Sequence, residues 1–237
     1  MIPLLNVPTL FANLKDGPSS REENFTQISK TKYLVSWPSH RSLSPREARI
    51  ILPHYDRKVF YKHVKTRLPK YEVHFQQAAK LHNLSWKVLA SQAYQESHWN
   101  RRARSPTGVR GIMMLTRKTA ASLGIKNRID PVLSIYGGAK YLARLHGKIA
   151  RSVHDSDRTF FALAAYNVGI GHLNDARILA RRKKKNPNFW NDVREVLPLL
   201  KQKKYYTSLR YGFARGDEPV RYVKRIRAYH SLLDQTF

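Results

Sequence analysis

Apolar residues recur every three or four positions along most of the chain beyond residue 57, which is the period of an α-helix with one packed face. The clearest segment follows Ser85, where Trp86, Leu89, Ala90 and Ala93 share one helical face. Ser85 is itself a residue type that caps helix N-termini. No segment of the sequence shows a convincing alternation of apolar and polar residues, so the pattern predicts an all-α domain.

Prolines, glycines and capping residues divide this pattern into separate helices. Pro69 separates two helices between residues 57 and 82, and a loop at 100–114 follows the helix that begins at Trp86. Asp130-Pro131 has the form of an N-cap followed by a first-turn proline, which predicts the start of a long helix. Further helices are predicted at 116–124, from residue 157 or 159 to 167, after Gly169 and Gly171 to residue 180, and at 219–233.

The first 55 residues lack this periodicity and are rich in turn-forming residues. We therefore expect residues 1–55 to form an irregular N-terminal extension, or the remnant of a lost domain, ahead of a helical domain at 56–237. Residues 1–14 are mildly apolar, but they contain two prolines and lack the basic start of a signal peptide. No apolar run in the sequence is long enough to span a bilayer.

The charge of the chain is strongly positive, because 44 lysines and arginines stand against 16 aspartates and glutamates, a net charge of +28. Such a chain attracts a polyanion, whether nucleic acid, anionic lipid or an acidic cell-wall polymer. The absence of cysteine excludes disulfides and thiolate chemistry. The histidines are scattered without the spacing of metal ligands, so we predict neither a metal nor a cofactor, and we expect His98 in a loop or on the surface.

Glu96 is the candidate for acid–base chemistry. Continuing the helical period from Leu89 and Ala93 places this residue on or beside the packed face of its helix. Burial there would raise the pKa of the carboxyl and let it hold a proton near neutral pH, as a general acid must. The alternative is a solvated glutamate at a helix edge, which is the commoner situation.

The sequence offers no obvious second carboxylate for this site. No Asp or Glu lies between Glu96 and Asp130, and we expect the later Asp155, Asp157 and Asp175 in helix caps or on polar faces. Cleavage of a glycosidic bond usually requires two carboxylates, whereas a single one suits a reaction in which the 2-acetamido group of the sugar stabilises the developing cation.

Four short stretches then occur in a characteristic order: Glu96-Ser97, Gly111-Ile112-Met113-Met114, Ala165-Tyr166-Asn167-Val168-Gly169 and Tyr222-Val223. In this order they resemble the soluble-lytic-transglycosylase (SLT) family, which cleaves peptidoglycan and has a lysozyme-like all-α fold. The resemblance covers roughly residues 60–233 and is greatest to the catalytic module of the membrane-bound murein transglycosylases of type F. Those proteins carry an N-terminal solute-binding-like domain, so this chain resembles a truncated relative.

By this resemblance Glu96 is the catalytic acid and base. The residues that the resemblance assigns to substrate binding are Ser97, Ser105, Gly111, Met113, Met114, Tyr166, Asn167 and Tyr222. Within this set, Tyr166 and Asn167 would contact the N-acetyl group and the sugar ring, and Met114 stands where most of the wider family has glutamine.

Several of these residues have a structural alternative that the sequence leaves open. Met113 and Met114 could fill the core beside the helix, and Tyr166 and Tyr222 could be packed aromatic residues. Asn167, which precedes a Val-Gly pair, could be a helix C-cap.

The reaction implied by the resemblance is cleavage of the β-1,4 bond between MurNAc and GlcNAc without water, which leaves 1,6-anhydroMurNAc ends. The implied partner is the peptidoglycan strand, in the periplasm or at the outer membrane of a Gram-negative bacterium, and the basic surface could also bind anionic wall polymers or a membrane. A hydrolytic muramidase of the same fold is one alternative. A non-catalytic basic protein that binds glycan or nucleic acid is another, although no helix-turn-helix, RNA-recognition or zinc signature supports a specific nucleic acid.

Overall fold

The computed structural model describes Val35 and residues 43–237, and this part of the chain is helical without a β-strand. The prediction of an all-α fold is confirmed. The helices are α1 (Pro45–Ile51), α2 (His54–Thr66), α3 (Glu72–Leu81), α4 (Trp86–Ser97), α5 (Arg117–Ser122), α6 (Pro131–Lys148), α7 (Asp155–Val168), α8 (Ile170–Arg182), α9 (Trp190–Val196), α10 (Lys203–Tyr206) and α11 (Asp217–Asp234). Two short 3-10 helices lie at Leu68–Lys70 and Leu197–Lys201. None of the described helices is long and apolar enough to cross a membrane.

The core lies inside a ring of five helices. α11 packs against α4 and α7, α7 packs against α6, and α3 joins α6 to α4 and so closes the ring. Four buried aromatic residues, Phe60, Tyr94, Trp99 and Tyr229, occupy the side of this core near the C-terminal end of α4. The Tyr94 ring centroid lies 4.7 Å from that of Phe60, 4.6 Å from that of Trp99 and 4.7 Å from that of Tyr229. Edge-to-face pairs of this kind contribute about 1 kcal/mol each beyond burial, so this cluster holds the end of α4 firmly against α2 and α11.

The predicted capping residues begin their helices as expected. Ser85, Thr116 and Asp130 each accept a hydrogen bond from the backbone N–H three residues later, at 3.4, 3.0 and 2.9 Å. Pro131 occupies the first position of α6, where its missing N–H costs no helical bond. Pro69 lies in the 3-10 helix between α2 and α3, so the predicted break is also confirmed. Each side-chain cap contributes about 1 kcal/mol to stability.

The prediction of irregular chain is wrong for the residues that form α1. This helix starts with a capping box, because the Ser44 Oγ accepts the Glu47 N–H and the Glu47 carboxylate accepts the Ser44 N–H. Ala48 and Leu52 are fully buried, and α1 packs against α11. A helix of seven residues has only two turns, which is too short for a convincing periodic pattern. Of the residues before Leu43, Val35 alone belongs to the described part of the chain.

Other helix boundaries also differ from the predictions. α7 starts at Asp155 because the His154 Nδ1 accepts the Ser156 N–H as a cap. Gly171 was predicted to break the chain but lies in the first turn of α8, where an added Cβ would stand 2.6 Å from the Tyr211 ring. This glycine therefore permits close packing within a helix. α9 and α10 were not predicted, and both are as short as α1 or shorter.

Candidate active site

The site begins at the C-terminal end of α4, where two consecutive residues turn the chain back. His98 and Trp99 have left-handed backbone conformations, with φ of +53° and +55°. Such a conformation costs a non-glycine residue roughly 1–2 kcal/mol. The cost is offset at Trp99, whose ring is fully buried and whose Nε1–H donates to the Ala90 carbonyl at 2.8 Å. Glu96 therefore occupies a defined position in the last turn of an anchored helix.

Within the described part of the chain, the carboxyl of Glu96 accepts one side-chain hydrogen bond. The Tyr222 hydroxyl donates to Oε1 at 2.5 Å. Desolvation by the surrounding protein raises the pKa of Glu96 from 4.5 to about 7, and the bond from Tyr222 opposes part of that shift. The residue as a whole is only partly buried, because one side of it borders an open cleft. Glu96 is thus a protonatable group near neutral pH that remains within reach of a ligand.

Two tyrosines enclose the Glu96 carboxyl. Burial, followed by the charge of Glu96, raises the pKa of both Tyr166 and Tyr222 well above 10, so both phenols stay neutral. Tyr166 donates its hydroxyl proton to the Met113 carbonyl at 2.9 Å, and its ring lies 5.0 Å from that of Tyr141. Tyr166 therefore joins α7 to the loop after α4, while Tyr222 alone contacts the carboxyl with its hydroxyl.

Ser97 lines the cleft beside Glu96 and ties α4 to the loop that follows it. Its Oγ–H is within bonding distance of the Ile112 carbonyl, at 2.8 Å, and of the Ala93 carbonyl, at 3.1 Å. The cleft beside it has a volume of about 520 Å³ and is lined by Glu96, Ser97, His98, Asn100, Arg102, Ala103, Arg104 and Met114. Of the described residues that line it, Glu96 alone is acidic, and desolvation and Tyr222 account for its pKa shift. The cleft combines one proton donor with polar and cationic groups.

A second cavity of about 520 Å³ lies between α1, α9 and α11 and is a weaker candidate. Two acidic residues line it, and both already have partners. Glu47 belongs to the capping box of α1, and Glu195 accepts a hydrogen bond from the Lys185 ammonium at 2.7 Å. The hydrogen bonds of the capping box lower the pKa of Glu47, whereas burial raises the pKa of Glu96, so the cleft at the end of α4 is the candidate active site.

The profile of the family described as "Transglycosylase SLT domain" matches residues 74–189. Residues 74–189 therefore form an SLT domain. Membrane-bound lytic murein transglycosylase F of Stutzerimonas stutzeri is 54% identical over 174 residues, which are 73% of this chain and 36% of that protein. Membrane-bound lytic murein transglycosylase F 2 of Alkalilimnicola ehrlichii is 53% identical over 182 residues, 77% of this chain and 40% of that protein. The chain therefore spans well under half the length of these curated relatives.

The SLT fold is also found in a solved structure, that of an inactive mutant of lytic transglycosylase Slt from Pseudomonas aeruginosa. The two structures have a TM-score of 0.52 and 23% sequence identity, over 70% of this chain and 24% of the Slt chain. At this identity the likeness concerns the fold alone. The profile match ends before α9, so the SLT segment contains Glu96 and Tyr166, whereas Tyr222 comes from α11 beyond it.

Ser105 and Gly111 shape the loop of the SLT domain and do not line the cleft at Glu96. The Ser105 Oγ accepts the Val109 N–H at 3.0 Å and bonds to the Thr107 hydroxyl, which closes a turn. Gly111 has φ of +91°, and a Cβ there would lie 2.0 Å from the Arg128 carbonyl oxygen. Only glycine fits this backbone position. Contact of either residue with substrate remains a prediction.

The two methionines of this loop have different environments. The Met113 side chain is fully buried, and its Cε and Cγ lie against Gly138, which favours the core alternative; contact of Met113 with substrate remains a prediction. Its backbone remains part of the site, since its carbonyl accepts from Tyr166. Met114 has φ of +47°, which turns its side chain the other way, and it lines the cleft beside Glu96.

Asn167 follows Tyr166 in the last turn of α7 and is exposed. The alternative of a helix C-cap is wrong for this residue, because Gly169 is the C-cap and has φ of +90°. Tyr166 is partly buried and Asn167 is exposed, since consecutive helical residues lie about 100° apart around the helix axis. The side chain of Asn167 is therefore free to meet a ligand, and that contact remains a prediction.

Sequence reasoning misplaced two acids and missed one buried amide. Asp157 and Asp175 were expected in caps or on polar faces, yet both are buried and accept the backbone N–H groups of Trp190 and Tyr211 at 2.8 and 2.7 Å. Gln92 is fully buried one helical turn before Glu96. Its position four residues before Glu96 was a usable signal, because residues at that spacing share a helix face.

Proposed function

We propose that this chain is the catalytic module of a peptidoglycan lytic transglycosylase. It cleaves the β-1,4 bond between MurNAc and GlcNAc without water and leaves 1,6-anhydroMurNAc ends. The observation that carries the proposal is the Glu96 carboxyl, whose pKa is raised at an open cleft that no other carboxylate of the described residues lines, within an SLT domain.

In this mechanism Glu96 acts first as an acid and then as a base. Its proton goes to the bridging oxygen as the bond from C1 breaks, and the N-acetyl carbonyl of MurNAc stabilises the cation at C1. The Glu96 carboxylate, which the Tyr222 hydroxyl stabilises, next takes the proton of the C6 hydroxyl. The O6 atom closes on C1 and forms the anhydro ring. Glu96 gives up one proton and regains one, and O6 takes the place that water has in hydrolysis, so no water is consumed.

The positions of the side chains support the proposed substrate-binding roles. Met114 and Ser97 line the cleft beside Glu96, and Tyr166 lies close enough for the charge of Glu96 to raise its pKa. Asn167 is exposed next to Tyr166 and would bind the sugar ring or its N-acetyl group. Ser105 and Gly111 would act through the loop that they shape.

Mass spectrometry of the released muropeptides tests this function. Purified protein is incubated with peptidoglycan sacculi, and Glu96→Gln serves as the matched variant because glutamine keeps the shape but cannot donate a carboxyl proton. Products one water lighter than hydrolytic fragments, absent with the variant, support the proposal. Hydrolytic products would instead assign a muramidase, and sacculus binding without products would assign a non-catalytic glycan-binding protein.

We further propose that a basic face assists binding to anionic wall polymers or to a membrane surface. This face consists of Arg181, Arg182, Lys183, Lys184, Lys203, Lys204 and Arg210, all exposed. Lys183 and Lys204 lie 5.2 and 4.9 Å from the Tyr205 ring centroid, so α8 and α10 bring like charges together. The paired charge reversal Lys183→Glu with Lys204→Glu should weaken sedimentation with sacculi at low salt and leave it unchanged at high salt. Unchanged sedimentation at low salt would contradict this role.

Two further proposals concern the whole protein. The relatives named membrane-bound lytic murein transglycosylase suggest a periplasmic or outer-membrane location in a Gram-negative bacterium. The division into an N-terminal extension and a lysozyme-like domain is supported by the helical ring, although α1 moves the start of the helical part ahead of residue 55. Fractionation of cells that express the protein, followed by limited proteolysis, tests both.

A further inference from the structure

Gln92 is an unusual residue for the interior of this domain. Its side chain is fully buried in α4, and neither atom of its carboxamide has a hydrogen-bond partner at bonding distance among the described residues. A buried amide left in this way costs about 1–3 kcal/mol. Such a group calls for an explanation, and leucine or methionine would fill the same space without that cost.

The surroundings of Gln92 point to the acid–base site. Gln92 precedes Glu96 by four residues on α4, so both side chains lie on the face that packs against α11. Tyr222 of α11, itself 5% exposed, lies close enough for the Gln92 amide to influence its pKa, although the two side chains stop short of bonding distance in the structure. Burial and the charge of Glu96 raise the pKa of Tyr222, and the side-chain contact with Gln92 acts in the opposite direction. A contact that lowers a phenol pKa supplies a donor to the phenol oxygen.

The bonding capacity of the phenol allows only one arrangement. Tyr222 has one hydroxyl proton, and that proton is donated to Glu96. The phenol oxygen can then only accept, so the amide must present its NH₂ group and not its carbonyl oxygen. We propose that the Gln92 carboxamide donates an N–H to the Tyr222 hydroxyl oxygen and so holds the phenol in the orientation that donates to Glu96.

Gln92 is thereby a positioning residue that acts on Glu96 through Tyr222. A phenol that accepts a hydrogen bond becomes a better donor, because bonds in a chain polarise one another. The bond to Glu96 is therefore strongest when the carboxyl is ionised, which is the state that must later take a proton. For the reaction itself this inference rests on the proposed function, whereas the coupling between the three side chains does not.

The test is a double-mutant cycle on the full chain with Gln92→Met and Tyr222→Phe, read by the Glu96 pKa. The pKa is measured by NMR with isotope-labelled glutamate, and Glu96→Gln identifies the signal. We expect Gln92→Met to raise the Glu96 pKa in the wild-type background and to have no effect in the Tyr222→Phe background. Equal shifts in both backgrounds, or no shift in either, would overturn the inference.

Stability and activity supply the second readout. Since methionine removes a buried amide, we expect the melting temperature of Gln92→Met to stay equal or to rise, while kcat on sacculi falls about two- to tenfold at unchanged KM. Gln92→Leu is a second apolar variant if the first does not fold. Ser91→Ala is the control, because Ser91 is equally buried on α4 but bonds only to the Lys87 carbonyl. A fall in melting temperature with kcat unchanged would make Gln92 merely structural. A pKa coupling found in a protein that is inactive on sacculi would overturn the proposed function alone.

Discussion

Two regions of this domain bury carboxylates against the α7–α11 side of the core, and they do so for different ends. Asp157 and Asp175 each accept a backbone N–H, from Trp190 and Tyr211, and thereby tie later segments of the chain to α7 and α8. Glu96 accepts only a phenol and borders an open cleft. A carboxylate bonded to a backbone N–H serves to hold two segments of the chain together. A carboxyl at an open cleft can instead be reached by a substrate. Burial alone therefore does not make an acid catalyst; the type of donor and access to the cleft decide.

The largest expected effect separates these regions by activity. Glu96→Gln removes the proton donor, so we expect a fall in turnover of about 100- to 10,000-fold. Its melting temperature should equal or exceed that of the wild type at pH 8, because the variant no longer buries a charge there. Muropeptide release and calorimetry measure the two quantities. Residual turnover above about one tenth of wild type would contradict the catalytic role.

A matched pair of methionines extends the comparison to apolar side chains. Met113 fills space against Gly138, so Met113→Ala should lower the free energy of unfolding by about 2–5 kcal/mol. Met114 borders the cleft, so Met114→Ala should change that energy by less than about 1 kcal/mol and raise KM instead. Chemical denaturation and kinetics on sacculi distinguish the two. Equal loss of stability at both positions would show that Met114 is also core.

The pH dependence should identify which carboxyl has the raised pKa. The pKa of Glu96 is about 7 in the folded protein against 4.5, so its contribution to stability is fully present below pH 4.5 and is lost as pH rises through about 7. Relative to Glu96→Gln, the wild type should lose up to about 3 kcal/mol of stability between pH 4 and pH 8. Denaturant titrations of both proteins measure this difference in the free energy of unfolding. The titratable groups that the two proteins share contribute equally to both and cancel. A difference that does not vary with pH would exclude the raised pKa.

The smallest effect belongs to the structural acid. Asp157→Ala leaves the Trp190 N–H without the acceptor it has in the folded chain, and we expect a loss of about 1–3 kcal/mol in the free energy of unfolding. Turnover per folded molecule should stay within twofold of the wild type, because Asp157 lies outside the cleft. Asp157→Ala should therefore lower stability and leave turnover unchanged, whereas Glu96→Gln should lower turnover and leave stability unchanged or raised. A loss of turnover in folded Asp157→Ala would remove the distinction between the two regions.

The comparison also shows where sequence reasoning succeeds. Local signals predicted local features: Ser85, Thr116 and Asp130 cap helices because their side chains bond to groups three residues away. Glu96 was placed beside a packed face by the same helical period. The short helix α1 was missed because seven residues contain too few turns to show a period, and Asp157 was misplaced because a first-turn aspartate looks like a cap whether it is exposed or buried.

The sequence by itself determined the all-α class, the approximate positions of the longer helices, the candidate acid and the resemblance to the SLT family. Only the tertiary structure decided that Tyr222, 126 residues away, donates to Glu96 and that Met113 points into the core while Met114 lines the cleft. The physical reason is that helix periodicity and capping depend on neighbours a few residues apart. A pKa near 7 depends instead on desolvation and on one phenol, and both are supplied by helices that meet only when the ring of the core closes.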